Sequence, residues 1–417
     1  MSTTSRHGDA LVADSYRGLF QVHSLTPLVF STLCSRIATQ MFSVTIVLFV
    51  LETHHSAQLS GFVVLASQVP GILVSPIVGA LLDRGAKVRL MVCDFGFESL
   101  CICAIAALSL AHELPTYLLI LIVAACSLTT PLGRVGGRSI FPVIVPRSLW
   151  DRSNAVDSCS FVVATVLGPT VAGVSVALFG PRWALVMPGA VMALATLIML
   201  RVAAPAMVVD ASGTVLSSAV AAVRYVWGNH VLRMLAGTMT VFNFGGGALS
   251  IALPVIVLHY LHGGSTTVGL LFAISGGAGF VAGLVTGRIG TEGREKNLLA
   301  TSCGVTALAF VVLAFRHSEV MVVICIAVIG CVNGPLTVAM FSLRQRATDP
   351  KWYGRAFAVS MNLNFTGFPI GSAIAGQLIT RSITLTFLIA AGCAALGGLW
   401  PAVLPASHYE PATPAVA

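Results

Sequence analysis

Twelve long apolar stretches constrain this sequence more strongly than any other feature. Each is roughly 20 residues long, which is the length that an α-helix needs to cross a bilayer. Because a backbone in lipid must satisfy its own hydrogen bonds, the stretches predict an all-α membrane protein with twelve transmembrane helices. The predicted spans are 26–51, 59–82, 90–111, 115–134, 155–179, 182–202, 232–260, 267–287, 298–315, 319–343, 356–380 and 383–404.

The composition excludes an ordinary soluble domain. Apolar residues make up 56% of the chain and charged residues only 9%, whereas a soluble domain carries about 25% charged residues. The formal net charge of +8 therefore indicates basic loops at one membrane face rather than a nucleic-acid partner. The ten cysteines fall almost entirely within apolar stretches, so we interpret them as packing residues and expect no disulfide, metal or cofactor.

The basic residues predict the orientation of the chain in the membrane. Of the 23 lysines and arginines, only Arg182, Arg316 and Arg381 fall in one set of loops and Arg36 falls inside a span, which leaves 19 on the opposite side. Cytoplasmic loops carry the excess of basic residues in membrane proteins. We therefore expect a multi-pass protein of the cytoplasmic (inner) membrane with both termini in the cytoplasm. The first 24 residues are polar and lack the apolar region of a cleavable signal.

One connection is much longer than the others and suggests a boundary between two domains. It joins spans six and seven and reads as a linker followed by an amphipathic helix on the membrane surface. We therefore divide the chain into an N-terminal six-helix bundle (1–202), a cytoplasmic linker (203–231) and a C-terminal six-helix bundle (232–417).

An internal repeat supports this division. The segment RSNAVD at 152–157 is followed by Gly168, and the similar segment RAFAVS at 355–360 is followed by Gly371, with each pair of matched residues 203 positions apart. Two related halves of six helices predict a substrate site at their interface, near the middle of the membrane.

The loop between spans two and three carries a recognisable motif. Gly79, Asp83, Arg84 and Lys87 fit the pattern G-x-x-x-D-R-x-G-R-[RK], with Ala86 at its second glycine. With twelve spans and the repeat, this loop resembles the signature of the major facilitator superfamily, and the resemblance covers nearly the whole chain. It implies the two-bundle fold of that superfamily.

Span five carries a second motif of the same superfamily. Gly168, Pro169 and Gly173 fit the antiporter pattern G-x-x-x-G-P-x-x-G-G, although Ala164 and Ala172 replace its outer glycines. Small residues let helices approach closely, and a proline bends the span by removing a hydrogen bond. Together with the stretch PRSLWDRSNAVDSCSF, the motif is similar to the branch of drug, macrolide and siderophore exporters.

The resemblance implies that the charged loop locks the cytoplasmic ends of the spans in one conformational state. A charge cluster in a short loop can indeed pair differently in two arrangements of the helices. We assign this gating role to the motif residues Gly79, Asp83, Arg84 and Lys87, to Arg138 as a partner of the loop, and to Gly168, Pro169 and Gly173 of span five. The alternative is that the basic residues only set the topology.

Three acids within the first half are candidates for proton coupling. Asp94 and Glu98 lie one helical turn apart, so they share a face and should not both ionise easily. Asp157 lies one turn into span five. We expect Asp94 to pair with a basic residue such as Arg138, and Glu98 or Asp157 to exchange protons. The alternative is a static salt-bridge network at the cytoplasmic rim. We expect every buried acid to belong to the first half.

Arg36 is the most informative single residue, because an arginine inside a span costs several kcal/mol unless it is paired or faces water. Gln40 and Ser43 follow it on the same helix face, so the three predict a polar lining of the central cavity that suits an anionic substrate. Alternatively, Arg36 extends to the cytoplasmic surface. Five more amides are predicted to line the cavity or to join helices: Gln68, Asn243, Asn333, Asn362 and Asn364.

The sequence thus predicts a secondary transporter that exports a small amphiphilic molecule by alternating access, coupled to proton antiport and acting as a monomer. The alternative is a uniporter or differently coupled carrier of a lipid-like or metal-chelate substrate. A membrane enzyme would need a nucleophile with a base or clustered metal ligands, and a receptor would need a signalling domain. We find neither pattern in the sequence.

Overall fold

The computed structural model describes residues 16–22, 24–83, 87–146, 149–203, 215–316, 318–349 and 352–403. These ranges are helical apart from short turns and hold no strand. A short helix, Tyr16–Phe20, precedes the first half of the fold. The six helices of that half are α1 (Leu25–His54), α2 (two segments, Ala57–Ala66 and Val69–Asp83), α3 (Lys87–Leu110), α4 (Thr116–Ile144), α5 (Trp150–Ala184) and α6 (Val186–Met199).

The second half repeats this arrangement after the linker helix, Val215–Gly228. Its first helix ends in a π-helical turn, Ile256–Tyr260. The six helices are α7 (His230–Val255), α8 (Ser265–Ile289), α9 (Glu295–Phe315), α10 (Glu319–Arg346), α11 (Tyr353–Leu378) and α12 (Ile383–Val403).

The predicted transmembrane helices are confirmed. Ten of the described helices are long and apolar enough to cross a membrane. Of the other two, α6 is apolar but 14 residues long, and α11 has 26 residues with a more polar sequence. The helical path breaks at Gly180, where a φ of 78° favours glycine, so the chain turns there from the fifth span into the sixth.

Helix packing shows that the two halves are repeats of one another. In the first half α1 packs against α5 and α6, α3 against α4 and α6, and α2 against α4. In the second half α7 packs in the same way against α11 and α12, α9 against α10 and α12, and α8 against α10. The halves meet where α5 crosses α8 and where α2 crosses α11. This is the two-bundle arrangement that the sequence predicts.

Among the described residues, the apolar core that both halves share lies at one end. A single buried cluster joins residues of both halves, such as Phe49 and Ala252, at the end that holds the turn between α1 and α2. At the other end, near the linker helix, the described residues form separate cores, one around Met91 and another around Leu299. Among the described residues, the halves therefore share a core at the first end, which we call the packed end, and have separate cores at the second, which we call the parted end.

Glycines bring the halves into direct backbone contact at the packed end. A Cβ on Gly173 of α5 would lie 2.5 Å from the carbonyl oxygen of Ser265 on α8, and a Cβ on Gly61 of α2 would lie 2.5 Å from that of Ser372 on α11. Neither position leaves space for a side chain unless the helices separate. Gly269 and Gly376 complete the two crossings from the opposite helix.

The linker helix lies against the second half. Its buried face carries Ala222 and Val226, while Val220, Val223 and Trp227 are exposed on the opposite face. Tyr225 stacks on Trp352 with ring centroids 5.0 Å apart, and its hydroxyl accepts a hydrogen bond from the backbone N–H of Asp349. The helix also contacts α2 of the first half.

Candidate functional site

An open pocket lies between the two halves, which we call the inter-half pocket. Its walls come from α2 and α4 of the first half and from α11 of the second, and its empty volume is about 460 Å³. Polar side chains on the walls include Gln68, Ser75, Thr130, Arg134 and Asn362. The amide of Asn362 donates a hydrogen bond of 2.6 Å to the Ser75 hydroxyl, which joins the halves across the pocket.

The acid pair of α3 lies directly behind the α4 wall of this pocket. Glu98 is buried and accepts a hydrogen bond of 2.5 Å from the Thr130 hydroxyl. Asp94 is 1% exposed, and its Oδ2 accepts a hydrogen bond of 2.9 Å from the backbone N–H of Gly133. Arg134 lies close enough to both carboxylates to interact electrostatically with each. The site therefore combines two acids and one guanidinium, which carry a net charge of −1 when all are ionised.

Arg134 is not among the site residues that the sequence predicts. The basic-residue pattern assigned it to the cytoplasmic side, and Arg138, one turn later, was the predicted partner of Asp94. The side chain of Arg138 lies outside the described residues. The spacing could have indicated Arg134, because it follows Thr130 by one helical turn and both therefore share the face that meets α3.

Arg36 and Asp157 form an ion pair between α1 and α5. The guanidinium lies 2.5 Å from Asp157 Oδ1, donates a second hydrogen bond of 2.9 Å to the Asp157 carbonyl, and contacts the Ser160 hydroxyl. The two side chains are only 18% and 12% exposed. The sequence predicts separate roles for these residues, in substrate binding and proton coupling, whereas the structure joins them in one largely buried contact.

The other two residues of α1 that are predicted to line the cavity take different positions. Gln40 packs against Gly168, which has no room for a side chain at this crossing. Ser43 is exposed and donates to the carbonyl of Gln40. The described lining of the inter-half pocket includes neither of them, nor Arg36.

The predicted amides of the second half take different positions. Asn243 donates to the backbone carbonyl of Asn364, which joins α7 to α11, and Asn333 is exposed on α10 outside the pocket lining. Asn364 is buried. When its amide is oriented so that both its nitrogen and its oxygen have hydrogen-bond partners, the nitrogen donates to the Ser360 carbonyl and the oxygen accepts from Arg344 at 2.5 Å. Arg344 is 1% exposed, although the pattern of basic residues counts it among the loop residues.

The predicted gating residues are described in part. Gly79 and Asp83 belong to the end of α2, and Lys87 begins α3 with a buried side chain. Arg84 and the side chain of Asp83 lie outside the described residues. The motif of span five meets the second half directly, because the Gly173 backbone contacts α8 and the Pro169 carbonyl oxygen lies 2.5 Å from a Cβ built on Gly269.

The expectation that every buried acid belongs to the first half is wrong. Glu295 of the second half is 6% exposed, and its Oε1 lies 3.0 Å from Arg346 at the end of α10. The predicted span does not include it, because α9 begins at this residue, three positions before that span begins. The Arg346 guanidinium places an opposite charge beside this buried carboxylate.

The repeated bundles, the glycine crossings between halves and the pocket at their interface are the features of one transporter family. The family model of the Major Facilitator Superfamily matches residues 28–361 and 234–416. The chain belongs to the major facilitator superfamily. It is therefore a member of a family of transporters, and a multi-pass membrane protein.

Relatives of this superfamily member include exporters. The chain is 34% identical to y4rN of Sinorhizobium fredii, an uncharacterized MFS-type transporter, over 90% of this chain and 93% of the relative. It is 25% identical to the multidrug efflux pump Tap of Mycolicibacterium fortuitum, over 83% of this chain and 87% of Tap. It is also 25% identical to the enterobactin exporter EntS of Citrobacter koseri, over 79% and 78% of the two chains.

Solved structures agree on the fold. The nucleoside transporter NupG superposes with a TM-score of 0.73, at 12% identity, over 90% of this chain and 98% of that chain. At this identity the likeness supports the architecture alone. The substrate and the mechanism of this superfamily member have to be inferred from its own residues.

Proposed function

We propose that this transporter exports a small amphiphilic molecule in exchange for protons. The observation that carries the proposal is the position of the acid pair. Asp94 and Glu98 lie behind the α4 wall of the inter-half pocket, and Thr130 and Arg134 belong to both the wall and the acid site. A proton bound at the acids therefore changes the charge beside the pocket.

The sign of the coupling follows from these charges. With both acids ionised, Asp94, Glu98 and Arg134 carry a net charge of −1, and uptake of one proton makes the cluster neutral. A cationic substrate in the pocket therefore stabilises the ionised acids and displaces the proton, which is antiport. An anionic substrate would favour proton uptake and couple in the opposite sense. We therefore infer a cationic or hydrogen-bond-donating amphiphile, which replaces the anion that Arg36 suggested.

Alternating access is supported by the unequal packing of the two ends. The glycine crossings and the shared core hold the halves together at one end, while the described cores are separate near the linker helix. With the orientation that the basic residues predict, the parted end faces the cytoplasm, the linker helix rests on the inner leaflet, and both termini are cytoplasmic. Rocking of the halves about the pocket would then expose it to the other side.

The direct test is transport into proteoliposomes by the purified protein, with ethidium as a fluorescent cationic amphiphile. An acidic interior should drive ethidium inward through molecules of the matching orientation, and nigericin should abolish the accumulation by removing the gradient. Protein-free liposomes with the same gradient are the control. Accumulation that ignored the pH gradient would refute proton antiport and favour a uniporter.

A further inference from the structure

Thr130 lies between the inter-half pocket and the buried acid. Its side chain belongs to the pocket wall, and its hydroxyl donates a 2.5 Å hydrogen bond to Glu98. The same Oγ1 lies 3.2 Å from the carbonyl oxygen of Cys126, one turn earlier on α4. Glu98 itself is 5% exposed and lies behind this residue.

One hydroxyl proton therefore has two acceptors, and the charge of Glu98 decides between them. An ionised carboxylate is an acceptor only, so it takes the proton of Thr130 in a charge-assisted hydrogen bond. A protonated Glu98 can donate its own proton to the Thr130 oxygen. The hydroxyl proton of Thr130 then turns to the Cys126 carbonyl, which is already within reach.

We propose that Thr130 is a positioning residue that relays the protonation state of Glu98 to the substrate pocket. The relay rests on the proposed proton coupling and assigns it a route through one side chain. Among the described residues, the titratable neighbours of Glu98 are Asp94 and Cys101 on α3 and Cys126 and Arg134 on α4. Helix α6, which also packs against α3, has no titratable residue in its sequence.

The relay gives the pocket two hydrogen-bonding states. While Glu98 is ionised, both lone pairs of the Thr130 oxygen are free to accept from a substrate donor such as an ammonium group. When Glu98 is protonated, one lone pair is occupied by the Glu98 proton. A donor-bearing substrate is therefore bound better in the state without the proton, which is the preference that an antiporter needs.

The relay can be tested by infrared spectroscopy on the detergent-solubilised full chain, without any substrate. The carbonyl stretch of protonated Glu98 is identified by its loss in Glu98→Gln. In Thr130→Val this band should move to higher frequency, because the carboxyl group loses its hydrogen-bond partner. Thr130→Ser should restore the wild-type frequency, and Thr130→Ala should repeat the effect of valine with a smaller side chain.

Thr170→Val is the matched control, since the Thr170 hydroxyl donates only to its own helix, at the Val166 carbonyl. A band that stays at the wild-type frequency in both Thr130→Val and Thr130→Ala would overturn the relay.

Ethidium transport tests the proposed function separately. In Thr130→Val the pH profile of ethidium transport should move by about one pH unit toward alkaline pH, because the ionised Glu98 loses a hydrogen bond. This is the size expected for one charge-assisted hydrogen bond. If the infrared band shifts but ethidium is not transported, the relay stands and the export of this cation is refuted.

Discussion

Asn362 of the second half and Ser75 of the first are joined by a 2.6 Å hydrogen bond across the inter-half pocket. The contact links α11 to α2 at a point between the packed end and the parted end of the molecule. It therefore belongs to this conformation of the halves, and a rocking motion that changes the distance between α2 and α11 would break it.

Asn362→Ala should shift the population away from this conformation. A hydrogen bond between neutral groups contributes about 1 kcal/mol, so the ratio of the two states should change about fivefold. Spin labels at the exposed residues Leu200 and Ile289, one in each half, would report the change as a redistribution of distances. Ser67→Ala is the matched control, because its hydroxyl donates within α2. Equal distance distributions in Asn362→Ala and Ser67→Ala would show that the hydrogen bond between Asn362 and Ser75 does not stabilise this conformation.

Gly61→Val should open the packed end. A side chain at this position collides with the Ser372 carbonyl on α11, so the two halves must separate there. Spin labels at Ala111 and Arg381, in loops of the two halves at that end, should show longer distances. Gly277→Val is the control, since a Cβ on Gly277 meets no atom within 4 Å. A distance distribution indistinguishable from the control would contradict the role of the crossing as a seal.

Asp157→Asn should destabilise the protein, because it leaves the Arg36 guanidinium without its counter-charge between α1 and α5. Removing one member of a largely buried pair costs about 3 kcal/mol. The double change Arg36→Met with Asp157→Leu should recover most of the loss in a thermal unfolding experiment in detergent. If the double variant also transports ethidium, the pair is structural; if it folds well and has lost transport, Arg36 or Asp157 takes part in the cycle.

Much of the fold could be predicted from the sequence, because length and apolarity decide which segments cross a membrane. The first predicted span, 26–51, lies within α1, and the predicted seventh span, 232–260, ends with the π-helical turn of α7. Gly168 and Gly173 of span five lie at close helix approaches, which is where small residues are expected.

The site was less predictable, because it depends on helix rotation. Glu98 and Thr130 are 32 residues apart, and nothing in the periodicity of α3 or α4 specifies which faces meet. Arg36 and Asp157 were both identified as unusual, but the ion pair spans 121 residues and required the packing of α1 on α5. For charged residues near helix ends, the sequence pattern does not distinguish a topology signal from an internal role: Arg344 is buried, and Arg134 lines the inter-half pocket.

Proton release on substrate binding tests the central claim most directly. Ethidium is added to the detergent-solubilised protein in weakly buffered solution with a pH-sensitive dye, while binding is followed by fluorescence polarisation. Binding to the wild type should release protons, and binding to Glu98→Gln should release fewer, because a cation beside the acid pair favours its ionised form. Binding without proton release, or with proton uptake, would contradict antiport through Asp94 and Glu98.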